Sequence, residues 1–235
     1  MREIGKPHTE YFKNPSQKET WSRPLDFVED GFNPNASFRE FLQTAVENPE
    51  QFIGKGGAGK VFDLGNGWCI KLTENRHMLP DKDKYDLGNT MQVEARIQNK
   101  ISEYEVRGVR APRVLCYQIG SETCAMIMET LIAVNLQEVL NGKQEMPKTF
   151  NADIFGEVLD DYIQGLHNEY GIVHYDLEPR NVMVSTETGL PYVIDFGRSK
   201  IYRDIESAEA INAFDKDTDA LDRIYDKLQS FSQKA

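Results

Sequence analysis

The sequence predicts an α+β fold, with five short strands interrupted by one helix and then a mostly helical stretch. Three observations carry that expectation. Between residues 51 and 131 the apolar residues fall in short β-type runs set apart by glycine-bearing turns. Between 154 and 166 they recur in alternating steps of one and three, the stripe of an amphipathic helix. The chain has 235 residues, 40% of them hydrophobic, which suffices for a core of ordinary size.

The elements follow in order. Residues 1–50 read as a polar arm, rich in Pro, Asn, Ser, Lys and Glu between Lys6 and Asn35. Ser37 is a good N-cap for a short helix through Phe38, Phe41, Leu42 and Val46. Strands are then expected at Gln51–Ile53, Lys60–Leu64 and Trp68–Leu72, with Gly65-Asn66-Gly67 as a hairpin turn. After a polar stretch around Pro80 to Lys84, a helix places Val93, Glu94, Ile97, Ile101 and Tyr104 near one face. Two more strands, Arg113–Ile119 and Cys124–Leu131, complete a unit spanning 51–131, with a hinge near Met128 to Asn135. The remainder, 132–235, holds the helix through Ile154, Phe155, Val158, Leu159, Tyr162, Ile163 and Leu166. Short strands follow at Ile172-Val173, Val182–Val184 and Tyr192–Ile194. A last helix, from Glu206 to Ser230, carries Ile211, Phe214, Leu221, Ile224, Tyr225 and Leu228.

Charge narrows the classes of partner. Lys plus Arg number 27 against 38 Asp plus Glu, a net charge of -11. Such a chain is a poor general ligand for nucleic acid or an anionic membrane, both of which demand clustered cations. No apolar run approaches the roughly 20 residues of a membrane span, and the N-terminus lacks the apolar segment of a cleaved secretory signal. Cys69, Cys116 and Cys124 lie inside apolar runs without a CxxC spacing, which predicts buried, reduced thiols.

Chemistry concentrates in four places. Gly54-Lys-Gly56-Gly-Ala-Gly59-Lys-Val61 is a glycine loop that lets backbone N–H groups approach phosphate oxygens. A strand follows it rather than a helix, which excludes a dinucleotide-binding turn, and no Gly-Lys-Ser/Thr ending is present. Lys71 ends an apolar run, and an ammonium among apolar neighbours needs an anion. Glu94, on the apolar face of the next helix, is such a partner; Glu103 and Glu105 are its rivals. The fourth is His174-Tyr-Asp176-Leu-Glu-Pro-Arg-Asn181, followed by Asp195-Phe196-Gly197. An acid, an amide and a second acid make a set of oxygen ligands suited to Mg²⁺ and phosphates.

Together these residues resemble the protein-kinase signature of Gly-rich loop, strand lysine, helix glutamate, H-R-D-x-x-x-x-N and D-F-G. The resemblance runs from about Gln51 to Lys200. It implies a bilobal kinase fold, with a five-stranded antiparallel N-lobe and a short helical C-lobe. It further implies a monomer that uses ATP and Mg²⁺. Gly54, Gly56, Gly59, Val61 and Lys71 are then expected to hold the nucleotide, with Glu94 positioning Lys71. Met128 to Leu131 resembles the gatekeeper and hinge, which places Glu129 and Leu131 at the adenine. Asp176 becomes the catalytic base, and Asn181 and Asp195 the metal ligands.

Departures from the signature sharpen the reading. Tyr175 stands where the family has the Arg that receives an activation-loop phosphate. Glu178 replaces a lysine that helps neutralise the transferred phosphate, with Arg180 or an arm lysine as a substitute. No Ala-Pro-Glu follows Gly197, so the 198–205 segment is expected to be poorly buttressed and in need of a partner protein. The short C-lobe and the His174-Tyr-Asp-Leu run resemble the minimal effector kinases, the OspG and NleH group, that bacteria inject into host cells by type III secretion. RIO-like and KEOPS-type kinases are the next relatives. That resemblance implies a soluble protein acting in host cytosol on a host protein, with heat-shock chaperones, ubiquitin or ubiquitin-conjugating enzymes as candidates. A small-molecule phosphotransferase and a nucleotide-binding pseudokinase remain the alternative functions.

Overall fold

A computed structural model of the chain describes residues 21–22, 44, 47–55, 59–65, 67–79, 87–119 and 123–232. Most of the expected arm, including Ser37, Phe38, Phe41, Leu42 and Val46 of its expected helix, lies outside the described residues. The chain divides into two units, Met1–Asn99 with Pro112–Thr130 and Lys100–Ala111 with Leu131–Ala235.

The first unit is an antiparallel sheet. Its strands are β1 (Trp21–Ser22), β2 (Phe52–Lys55), β3 (Lys60–Gly65), β4 (Trp68–Glu74), β5 (Val114–Ile119) and β6 (Thr123–Glu129), in the order β1-β5-β6-β4-β3-β2. The five expected strands are present, and Trp21–Ser22, from the segment read as an arm, adds a sixth by pairing with Tyr117 and Gln118. Gly65 and Gly67, with φ of 75° and 82°, adopt the left-handed backbone that the β3–β4 turn requires. Alternation along β4 sorts its side chains onto two faces. Trp68 and Ile70 join Phe62, Leu115 and Ile127 in one apolar cluster. The other face receives α1 (Met91–Ile101), whose Met91 and Ala95 pack on Val114, Tyr117, Cys124 and Met126.

The buried stripe of α1 differs from the expected one. Val93 is exposed, whereas Met91, Glu94, Ala95, Ile97, Gln98 and Ile101 are buried. The helix also stops at Ile101, so Tyr104 lies beyond it. A stripe at steps of three and four admits two neighbouring phases, and packing on the sheet selects the one containing Met91. The three cysteines are free and buried, and burial pushes the Cys69 thiol up to about 12.

The second unit is built on α3 (Ala152–Tyr170). Asn151 caps its first turn by accepting the Ile154 N–H at 3.0 Å, and Gly171 ends it at φ 62°. The predicted stripe from Phe155 to Leu166 is buried, except that Ile154 is exposed. Short ladders flank the helix: β7 (Ala133–Asn135), β9 (Val182–Ser185) and β10 (Pro191–Val193) form one, β8 (Ile172–Val173) and β11 (Lys200–Ile201) the other. A one-turn α2 (Leu136–Leu140) follows β7. The last helix, α4 (Ala208–Ser232), packs on α3, where the Tyr225 hydroxyl donates to the Gly156 carbonyl at 2.6 Å. A Cβ at Gly156 would collide with the Tyr225 ring, so the two helices approach through a glycine. The segment after Gly197 departs from expectation. Lys200 and Ile201 pair with Val173 and Ile172, which gives the segment a backbone anchor the sequence did not suggest.

Candidate active site

The first unit holds a buried cation. Strand alternation turns Lys71 to the face that carries α1, in register with Val61 on β3 and Met126 on β6. Its Nζ lies 2.6 Å from Glu94 Oε1, and both side chains are under 10% exposed. The pair joins β4 to the first turn of α1. Each charge compensates the other's lost hydration, and removing one partner from such a pair costs about 3–5 kcal/mol. Glu103 and Glu105, the rivals, are exposed beyond the end of α1.

The loop glycines separate by function. A Cβ at Gly54 would meet nothing within 4 Å, so the protein itself does not demand a glycine there. At Gly59 a Cβ would run into the Leu72 carbonyl and Thr73, so close packing on β4 explains that residue. Gly56 lies outside the described residues. At the end of β6 the Glu129 side chain is buried, with Oε2 accepting the Arg113 N–H at 3.3 Å, so only its backbone can serve a ligand. Leu131, which begins the main stretch of the second unit, is half-buried.

The second unit gathers the acids. Asn181 Nδ2 donates to the Asp176 carbonyl at 2.7 Å and to its Oδ2 at 3.0 Å. Arg180 Nη2 lies 2.6 Å from Asp176 Oδ1. Both carboxylate oxygens therefore have a donor, and each keeps a further lone pair free to accept another. Asn135 holds this turn from β7 by donating to the Arg180 carbonyl at 2.7 Å. Asp195 is tied to the same loop through its neighbour, since the Ile194 N–H donates to the Asn181 carbonyl at 3.0 Å. Phe196 is fully buried and meets the His174 ring edge-on at 5.0 Å.

Backbone strain marks the same place. Tyr175 and Asp195 have φ of 63° and 65°, in the left-handed region that non-glycine residues rarely occupy. Each such residue costs on the order of 1–3 kcal/mol and persists where its surroundings fix it. Asp217 on α4 supplies much of that fixing. Its buried carboxylate accepts the N–H groups of His174 at 2.7 Å and Tyr175 at 3.0 Å, and pairs with His167 Nε2 at 3.1 Å. Sequence reading missed Asp217. The available signal was an acid in phase with Ala213, Leu221 and Ile224 on the buried side of the last helix.

The donor set fits a magnesium ion. Asn181 commits its amide nitrogen to Asp176, which leaves its oxygen as the atom that would meet a cation, and Asp195 would add a carboxylate; hard oxygen donors in this small number leave places for water and phosphate. Among the described residues no group of three His, Cys, Asp or Glu side chains forms a metal cage. A site completed by a nucleotide's own oxygens needs none.

A family model for the protein kinase domain matches residues 48–215, well over half of the chain. The chain is similar to homeodomain-interacting protein kinase 1 of Caenorhabditis elegans, 30% identical over 154 residues that cover 63% of this chain and 17% of that protein. It is similar to calcium-dependent protein kinase 21 of Arabidopsis thaliana, 24% identical over 185 residues, or 73% of this chain and 32% of that one. Serine/threonine-protein kinase MPS1 of Saccharomyces cerevisiae is 23% identical over 196 residues, covering 80% and 24%. The chain thus spans less than a third of the length of these relatives.

Proposed function

The chain belongs to the protein kinase family, and from that premise we propose that it transfers the γ-phosphate of ATP to a serine or threonine hydroxyl of a protein. The observation that carries this reading is Asp176, held at both its carbonyl and its carboxylate by Asn181. A base fixed in this way is oriented before the acceptor arrives, which is where positioning contributes most to phosphoryl transfer. Asp176 takes the proton of the attacking hydroxyl. Lys71, aimed by Glu94, binds nucleotide phosphates, and Gly54 leaves room for them beside the backbone. Asn181 and Asp195 hold Mg²⁺, which when bound neutralises charge on the phosphates.

Arg180 answers the loss of the catalytic-loop lysine. Its guanidinium already sits on the Asp176 carboxylate, so a cation is present beside the base although position 178 carries an acid. The three relatives in the comparison carry protein kinase in their names, which supports a protein rather than a small molecule as acceptor. The finer reading is a minimal effector kinase directed at a host protein such as a heat-shock chaperone or a ubiquitin conjugate. It rests on the His174-Tyr-Asp-Leu and Asp195-Phe…Ile201-Tyr202 runs.

The test is transfer of label from γ-labelled ATP to proteins of a host-cell lysate, with Asp176→Asn as the control. Labelling that requires Asp176 is the expected result. Wild-type labelling by Asp176→Asn would remove the base from this loop, and no labelling by either protein would count against the enzyme reading.

A further inference from the structure

Tyr175 and Tyr202 share a hydrogen bond between their hydroxyls. Tyr175 immediately precedes Asp176, and Tyr202 lies just beyond β11 in the segment that follows Asp195-Phe196-Gly197. Each is held by further contacts. Tyr175 donates its N–H to Asp217, and its ring lies under two ammonium groups, Lys200 at 5.5 Å and Lys216 at 5.2 Å. Tyr202 donates its N–H to the Gly171 carbonyl at 2.7 Å and sets its ring edge-on to Phe214 at 6.5 Å. Phe214 stacks on His167 at 4.4 Å, and His167 pairs with Asp217. The contacts close a circuit from Tyr175 through Tyr202, Phe214, His167 and Asp217 back to Tyr175.

From this circuit we infer that Tyr202 is a positioning residue for Asp176: its hydroxyl bond to Tyr175 orders the 198–205 segment and the base without a phosphate. The inference rests on the kinase reading for its catalytic consequence, though not for the latch itself. Phosphorylation orders a loop by adding charge that an arginine receives. At position 175 the receiving residue is a phenol, and its partner is a second phenol supplied by the segment to be ordered. A bond between two hydroxyls needs no prior modification. Burial, and then the bond to Tyr202, push Tyr175's ionisation above the ordinary tyrosine range. The segment's own backbone contributes, because β11 pairs with β8 directly upstream of the catalytic loop. A Cβ at Gly171 would strike the Tyr202 carbonyl, so the docking of this turn also depends on that glycine.

The test uses the full chain and the substitutions Tyr175→Phe, Tyr202→Phe and both together, which remove hydroxyls and keep the rings. Hydrogen exchange of the amides in 172–176 and 198–205 should rise by up to about tenfold in each single variant, the share of one hydrogen bond. The double variant should exchange no faster than the faster single one, since one bond is lost in every case. For phosphoryl transfer, kcat should fall by a similar factor while the KM for ATP stays within about twofold. Phosphatase treatment of the wild type should leave kcat unchanged. Unaltered exchange in both single variants, or effects that multiply in the double variant, would overturn the latch. Loss of kcat after phosphatase treatment would overturn its independence of phosphate. If Tyr175→Phe does not fold, Tyr202→Phe decides the exchange question alone. A wild type with no transferase activity would refute the kinase reading and leave the exchange result to judge the circuit.

Discussion

Lys71 and Glu94 neutralise each other in a place where neither is tolerable alone, and that mutual dependence can be measured. Lys71→Ala leaves a buried carboxylate, and Glu94→Ala a buried ammonium, so each should destabilise the fold by about 3–5 kcal/mol. The double substitution should cost less than the sum of the two, as urea unfolding of the four proteins would show. In activity, Lys71→Ala should be the more severe change, because in the proposed function the lysine would meet the nucleotide and the glutamate would act through it. Arg180 makes a different prediction. It is exposed, so Arg180→Ala should leave the unfolding midpoint nearly unchanged. Its activity should nonetheless fall by about 10- to 100-fold in kcat, the scale of one lost charge-assisted contact at the reacting group. Arg180→Lys should recover part of that loss.

At the scale of elements, α4 does more than cover α3. Asp217 takes two backbone N–H groups from the catalytic loop and one contact from His167, so Asp217→Ala strips three buried partners at once. Each unsatisfied group costs roughly 1–3 kcal/mol, so Asp217→Ala should destabilise the protein by at least about 3 kcal/mol and abolish activity. Asp217→Asn keeps one acceptor oxygen and should fall between, in both thermal unfolding and kcat. Sequence reading found what large apolar residues mark and missed what small ones do. The stripe of α3 and five strands of the sheet were legible because large apolar residues repeat at helical and strand periods. In the first half of α4 the inward residues are Ala210, Ala213, Asp217 and Ala220, while Ile211, expected inside, is exposed. Close approach to the loop selects small side chains and an acid there, and hydropathy has no signal for either. The two-residue β11 was illegible for another reason: both its side chains are exposed, and only its backbone pairs.

For the molecule as a whole, ligand binding and charge set the expected behaviour. ATP with Mg²⁺ at about 100 times its Kd should stabilise the fold by about 2.7 kcal/mol, or raise Tm by roughly 5–10 °C for a chain of this size. Asp195→Ala should lose most of the part of that shift that depends on Mg²⁺, because the phosphates lose a metal ligand and Asn181 alone remains. Equal shifts with and without Mg²⁺ in the wild type would contradict the assignment of Asn181 and Asp195. With a net charge of -11, the chain should also prefer partners that present basic surface, and such binding should weaken as salt rises. Among the described residues no helix is long and apolar enough to cross a membrane.

The anchor that Asp217 provides has a consequence for the newborn chain. The ribosome makes the loop first and its clamp 42 residues after Tyr175. At translation speeds of about 5–20 residues per second, the loop waits roughly 2–8 seconds before the helix that fixes it exists. Until then Tyr175 has no Asp217 to hold it in its left-handed conformation, and the loop that carries Asp176 lacks that anchor. The proposed kinase activity is therefore expected to appear only after α4 has been made and has docked.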